Sequence, residues 1–170
     1  MKQSCDTYFY EVARKLGVDR LKVTADKFGL GKKVLGEYFE NEKAGQFPDT
    51  KWKINELGKG WVLGETLITG IGQGYTQTTP IQLCLMTAQI ANGGYKITPK
   101  ILTDDNQLTS EQVKKAMQDS KLNNNYEPLF NDKRNIKIVQ ETMFSSTNEL
   151  RGTSYKSRID DPKYQFAGKT

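Results

Sequence analysis

The stretch TTPIQLCLMTAQIANGG, residues 78–94, constrains the fold more than any other part of the chain. Thr79 is placed to cap a helix, Pro80 fills its first position, and Gln82 stands three residues after the cap, the spacing of a capping box. Asn92-Gly93-Gly94 supplies the stop, so the spacing predicts a helix from about Pro80 to Ala91. Ile81, Leu83, Cys84, Leu85, Met86, Ala88, Ile90 and Ala91 run most of the way around it. A helix that is apolar on nearly every side is expected to be covered on several sides. Cys84 reads accordingly as a small buried hydrophobe.

The flanking sequence supplies partners for such a core. Phe9, Val12, Ala13 and Leu16 recur at helical spacing and stop at Gly17, which marks a first amphipathic helix. Asp19 is placed to cap a second, whose Leu21, Ala25 and Phe28 share a face. Residues 31–65 show no clear period and read as a long irregular connection anchored by Trp52 and Trp61. Residues 95–102, YKITPKIL, read as an extended edge segment, because Pro99 lacks the donor that a central strand needs. Helices are expected near Thr109 to Gln118 and from about Asp132 to Asn148, the latter with Ile136, Val139 and Met143 on one face, separated by the polar loop KLNNN. The last residues, YQFAGKT, look like the first half of a strand. At 170 residues this is the length of one domain.

Composition removes several kinds of chemistry. The chain has no histidine, which excludes Ser-His-Asp and Cys-His relays and histidine-held metals and leaves Lys, Asp, Glu, Ser or Tyr for proton transfer. Two cysteines, Cys5 and Cys84, cannot build a four-thiolate zinc site; no metal or cofactor is expected. The net charge of +5 favours an anionic partner, but the lysines are scattered in short pairs such as Lys32-Lys33 and Lys114-Lys115, so no nucleic-acid partner is expected. No run of 18 apolar residues is present, and residues 1–30 lack a basic-then-apolar leader pattern.

Two short motifs carry candidate chemistry. A phosphate loop ending at Gly168-Lys169-Thr170 would need glycine where Lys163 stands, and a dinucleotide fingerprint opening at Gly70 and Gly72 would need one at Tyr75. Both nucleotide readings fail. Gly70, Gly72 and Gly74 are then better read as permitting a tight turn than as touching a ligand. Lys169-Thr170 also matches the opening of K-T-G, which in serine acyltransferases accompanies S-x-N. At the other end Ser4 and Asp6 have the S-x-N spacing with Asp in third place. The local alternative is that Ser4 and Asp6 simply cap the first helix.

The segments SCDTYFYEVARKLGVDRL and TGIGQGYTQTTPIQLCLMTAQIANGG closely resemble the S-x-N helix and the glycine-rich loop with its buried helix in class B penicillin-binding proteins of the elongation type. The resemblance covers most of residues 4–102 plus the end of the chain, and it implies an α+β serine-transpeptidase, β-lactamase-like fold. This chain would hold mostly the helical subdomain and the start of a sheet strand. The implied activity is peptidoglycan D,D-transpeptidation through a serine acyl-enzyme, with stem peptides ending in D-Ala-D-Ala and β-lactam antibiotics as ligands. The parent would be anchored in the cytoplasmic membrane with its catalytic domain in the periplasm, beside cell-elongation membrane proteins. Ser4 and Lys169 would be catalytic, and Asp6 and Thr170 would bind substrate. Asp6 stands where the family pattern has Asn, which replaces an amide by an anion. The rival reading is a non-catalytic binding module on the same scaffold.

The nucleophile motif S-x-x-K is the missing member. None of Ser4, Ser110, Ser120, Ser145, Ser146, Ser154 and Ser157 has lysine three residues on. Residues 1–170 are therefore expected to be a partial transpeptidase domain, from S-x-N/D to the start of K-T-G, without the S-x-x-K segment and the C-terminal strands. Incubated with a fluorescent penicillin and run on a denaturing gel, the 170-residue chain should carry no label. A covalent band on it would overturn the account of the nucleophile.

Overall fold

The computed structural model of the chain describes residues 1–36, 39–99 and 127–169. The expected helix near Thr109 to Gln118, the loop at 121–125, residues 100–102 and Thr170 lie outside them. Among these residues six helices follow in order: α1 (Asp6–Leu16), α2 (Val18–Lys27), α3 (Thr50–Leu57), α4 (Leu63–Thr69), α5 (Pro80–Ala91) and α6 (Arg134–Asn148). Single 3-10 turns follow at Tyr155–Ser157 and Pro162–Tyr164. Among the described residues there is no β-ladder, only isolated bridges between Gln46 and Gln77 and between Tyr95 and Pro128. Residues 165–169 have no strand partner among them, so the expected terminal strand is unpaired here; a ladder needs a neighbouring strand to form.

Helix α1 runs as its spacing predicts and ends at Gly17, whose N–H donates to the Ala13 carbonyl at 2.8 Å. Helix α2 departs from expectation at its start. It opens one residue before Asp19, with Gly17 as the capping residue. The Asp19 carboxylate instead accepts from the backbone N–H and the hydroxyl of Thr50, at 3.1 and 3.0 Å, and so joins the start of α2 to the start of α3. Helices α3 and α4 are a further correction, since both fall within the expected connection. At 8 and 7 residues they are too short to display a period, and their caps reveal them better. The Asp49 side chain accepts from the Trp52 N–H at 2.6 Å, and the Glu65 carboxylate accepts from the Val62 N–H at 2.9 Å.

A buried ion pair joins these two helices. Lys53 on α3, only 5% exposed, meets Glu65 on α4. The same carboxylate accepts from the Tyr75 hydroxyl at 3.3 Å. Trp61 and Trp52 pack around Tyr75, with ring centroids 6.4 and 5.2 Å away, and the Trp61 N–H donates to Thr66 at 2.8 Å. Both tryptophans thus anchor the connection, as expected. Helix α4 then lies along α1, and contact is closest at Gly70, where a Cβ would come within 2.4 Å of the Ala13 Cβ. Gly72 and Gly74, both at positive φ, turn the chain towards α5.

Helix α5 spans Pro80–Ala91 with the expected capping box: the Thr79 hydroxyl accepts from the Gln82 N–H, and the Gln82 side chain accepts from the Thr79 N–H. Its burial departs from the expectation in part. The inward face is Gln82, Leu85 and Gln89, with Gln82 fully buried, while Leu83 and Cys84 are exposed. Cys84, expected to be buried, is exposed among the described residues. The irregular chain packed beneath α5 presents backbone carbonyls, and glutamine amides rather than methyl groups satisfy them. The Gln82 amide donates to the carbonyls of Lys32 and Ala44 at 2.6 and 2.7 Å.

Burial raises the affinity of Glu65 for a proton, but the Lys53 ammonium, the Val62 N–H and the Tyr75 hydroxyl outweigh it and hold the carboxyl below its ordinary value. A carboxyl lowered in the folded state contributes stability at neutral pH that is lost as pH falls through the folded value. Lys53→Met removes the leading contribution that lowers the carboxyl, so the variant should show less of this loss of stability on acidification. The cost at neutral pH should be about 3–5 kcal/mol, as for other broken buried pairs. Thermal melts of both chains from about pH 4 to 8 check the difference; parallel curves would contradict it.

Candidate active site

The site is built by the last turns of α6, which hold chain from both ends of the sequence. Residues 1–5 approach first: the Lys2 ammonium pairs with Glu149 at 2.6 Å, and the Lys2 carbonyl accepts from the Thr153 N–H at 3.2 Å. Hydrogen bonds from the Lys2 ammonium, and then from the Ser145 hydroxyl, hold the Glu149 carboxyl below its ordinary value. The chain's last described residues run along the same helix. The Gly168 N–H donates to the Met143 carbonyl at 3.2 Å, and the Asn148 amide donates to the Phe166 carbonyl at 2.8 Å.

Between these two strings of contacts the sequence ends meet. Lys169 Nζ donates to Ser4 Oγ at 2.8 Å across 165 positions of chain. That distance is within the reach required for proton transfer. The Ser4 hydroxyl donates in turn to Thr153 Oγ1 at 3.4 Å, and Thr153 Oγ1 lies 3.2 Å from Ser146 Oγ. Ser4 has φ of 46°, a left-handed conformation that a non-glycine residue adopts only when its surroundings impose it. The helix-capping alternative is not realised. Cys5 is the N-cap residue of α1, and no side chain caps the helix there.

Asp6 opens α1 two residues after Ser4, exposed, and its carboxylate makes no hydrogen bond or ion pair among the described residues. Thr170 lies outside them. Cys5, between the two motif residues, is exposed; its thiol is lowered by the Thr7 hydroxyl, 3.2 Å away, and then by the Tyr8 N–H. Thr153, Ser146 and the Lys2–Glu149 pair went unnoticed in the sequence. The one available signal was Gly152-Thr153 just past a helix end rich in hydroxyls, Ser145-Ser146-Thr147. No metal-binding group of His, Cys, Asp and Glu occurs among the described residues, and no helix there is long and apolar enough to cross a membrane.

Residues 1–170 match the penicillin binding protein transpeptidase domain along their whole length, and the chain belongs to that family. Within it the resemblance is to penicillin-binding protein 2. Peptidoglycan D,D-transpeptidase MrdA of Acinetobacter baumannii is 34% identical over 167 residues, 98% of this chain and 23% of the relative. A crystal structure of Pseudomonas aeruginosa PBP2 in complex with WCK 5153 superposes with a TM-score of 0.74 at 39% identity, covering 92% of this chain and 33% of that one. The complex of PBP2 with MreC from Helicobacter pylori gives 0.75 at 27% identity, over 95% of this chain and 27% of that one. The chain thus spans about a quarter of the length of the curated relatives it matches. The fold is the α+β serine-transpeptidase fold, with the described residues forming its helical part.

Gly152 makes the crossing beside α6 sterically feasible. A Cβ there would sit 2.1 Å from the Ser146 carbonyl oxygen and 2.8 Å from that of Ser145, both backbone atoms that cannot swing aside. Gly152→Ala should therefore displace residues 149–154 and cost about 1–3 kcal/mol or more. Gly64→Ala, in α4 with open space around its Cβ, is the control and should be neutral or slightly stabilising. Thermal unfolding followed by circular dichroism separates the two; equal midpoints would refute the steric account.

Proposed function

We propose that this chain is part of a peptidoglycan D,D-transpeptidase that cross-links stem peptides through a serine acyl-enzyme and is acylated by β-lactams. The observation that carries the reading is the 2.8 Å contact between Lys169 Nζ and Ser4 Oγ. Family membership and the names of the similar proteins support it. In this reading residues 1–170 are the part of the transpeptidase domain from S-x-D to the start of K-T-G. The nucleophilic serine, with its lysine three residues on, comes from elsewhere in the parent.

That serine attacks the carbonyl of the penultimate D-alanine. The C–N bond to the terminal D-alanine breaks, and the departing nitrogen must receive a proton. Ser4 is the relay that delivers it. A hydroxyl can give a proton to the leaving amine and regain one from a neighbouring lysine without itself carrying charge for long. Lys169 stays an ammonium. Its positive field helps to discharge the nucleophile's lysine, which can act as a base only when neutral, and attracts the substrate's terminal carboxylate. Thr170 donates to that carboxylate, and Asp6 accepts from the substrate amide. Acyl transfer to an amine on a second strand completes the cross-link. The parent is anchored in the cytoplasmic membrane and works in the periplasm to maintain cell shape. It docks with a membrane protein of the elongation machinery, by analogy with the H. pylori complex with MreC.

The test is acylation of the full-length parent by a fluorescent penicillin. Ser4→Ala and Lys169→Met should each slow labelling by about a hundredfold or more, as expected for the loss of a positioned proton-transfer group. A parent that takes no label at all would support the non-catalytic binding module. A parent labelled at the same rate with and without Ser4 would remove Ser4 from the mechanism.

A further inference from the structure

We propose that Thr153 is the positioning residue for Ser4, the group that sets where the Ser4 hydroxyl points; this rests on the relay role given to Ser4 above. A serine hydroxyl carries one proton and two lone pairs, and it rotates to suit its partners. Lys169 can only donate, so at 2.8 Å it occupies a Ser4 lone pair and leaves the Ser4 proton to be directed elsewhere. Thr153 Oγ1, at 3.4 Å, receives it. Thr153 is itself steadied by Ser146, 3.2 Å away and fully buried on α6. The contacts thus run from the Lys169 ammonium through Ser4 and Thr153 to the buried Ser146.

The backbone around Thr153 is fixed from both sides. Its own N–H donates to the Lys2 carbonyl at 3.2 Å, and the next N–H, of Ser154, donates to the Ser146 carbonyl at 3.1 Å. Gly152 lets this segment lie against the helix where any Cβ would collide. One residue thus grips the 1–5 segment by its backbone at Lys2 and by its side chain at Ser4, bracketing the left-handed turn at Ser4. A residue held at positive φ does not keep that conformation alone, and Thr153 is placed to hold it.

The consequence for the reaction concerns readiness rather than substrate affinity. With its oxygen tethered by Lys169 and Thr153, Ser4 keeps one position before substrate arrives, and its single proton turns from Thr153 to the departing nitrogen in the reaction. Replacing the hydroxyl of Thr153 by a methyl group of the same size removes the acceptor. The Ser4 hydroxyl then loses one of its two tethers, and the fraction of the enzyme with that oxygen in place for proton delivery falls.

The experiment is pre-steady-state acylation of the full-length parent by a fluorescent penicillin, resolved into reversible binding and the acylation rate constant. Thr153→Val should lower the rate constant by about tenfold, the effect of one orienting hydrogen bond, and leave reversible binding within about twofold. Thr153→Ser, which restores the hydroxyl, should recover most of the loss. Ser146→Ala should act in the same direction by less. Thr153→Ala, also without a hydroxyl, serves if the valine variant unfolds. The proposal is overturned if Thr153→Val acylates like the wild type while Ser4→Ala is slow, an outcome that leaves the relay role of Ser4 standing. It is equally overturned if Thr153→Ser is as slow as Thr153→Val, since the hydroxyl is then not what matters. A normal rate in Ser4→Ala would instead bring down the relay reading itself.

Discussion

Everything at the candidate site depends on how closely the chain can pass the end of α6. At Gly152 the backbone comes so near the Ser145 and Ser146 carbonyls that no side chain fits, and this single approach sets the position of Thr153. From Thr153 the order propagates outward, through the backbone to Lys2 and through the hydroxyl to Ser4. The neighbouring Lys2–Glu149 pair is about half exposed on its acidic side, so its Coulomb attraction is screened and weak. Its value is geometric: it keeps residue 2 within reach of a backbone hydrogen bond that would otherwise compete with water. The site is thus held by steric fit first and by charge second.

The other half of the structure is held in the opposite way. Helices α3 and α4 have 8 and 7 residues, too short to be stable by propensity alone. Their junction is an ion pair withdrawn from water, which costs desolvation and is offset only because the Glu65 oxygens also accept from the Val62 N–H and the Tyr75 hydroxyl. Such a pair is a poor source of net stability but a strict one of geometry, since any other arrangement leaves a buried charge unmatched. Through α4 that geometry reaches α1 at the Gly70–Ala13 contact, about two turns after the start of the helix beside Ser4. The two halves fix α1 at different points along its length.

These modes of stabilisation explain what could be read from the sequence. Helix α5 was legible to the residue, because Thr79, Pro80, Gln82 and the terminal Asn92-Gly93-Gly94 are local signals for local geometry. Helix α1 and most of α6 followed from periodicity in the same way. The pairing of Ser4 with Lys169 was legible only through a family resemblance, since nothing local in either triplet specifies a partner 165 positions away. Thr153 and Ser146 carried no such resemblance and looked like ordinary polar residues near a helix end. Helices α3 and α4 were missed because seven or eight residues give barely two turns of pattern. Asp19 was misassigned because a residue suited to cap its own helix is equally suited to bind the start of another, and tertiary contact with Thr50 decides between them.

The burial of α5 shows how irregular backbone is satisfied among the described residues. The chain segments around it are irregular, so their carbonyls have no ladder to satisfy them, and an apolar helix face laid over them would leave those groups buried and unpaired. Glutamine solves this, because its amide has the donors and acceptor of a peptide group carried on a flexible stem. Gln82 joins residues 32, 44 and 79, Gln89 joins Phe28 to Ile97, Gln140 caps the carbonyls of Ile90 and Ala91 at the end of α5, and Gln46 reaches Tyr75. The buried positions of α5 are therefore Gln82 and Gln89 with Leu85 between them, while Ile81, Met86, Ala88 and Ile90 are half-buried. A hydrophobic count along this helix finds Leu85 but not its neighbours Gln82 and Gln89, whose burial follows from the hydrogen-bonding needs of the adjacent backbone.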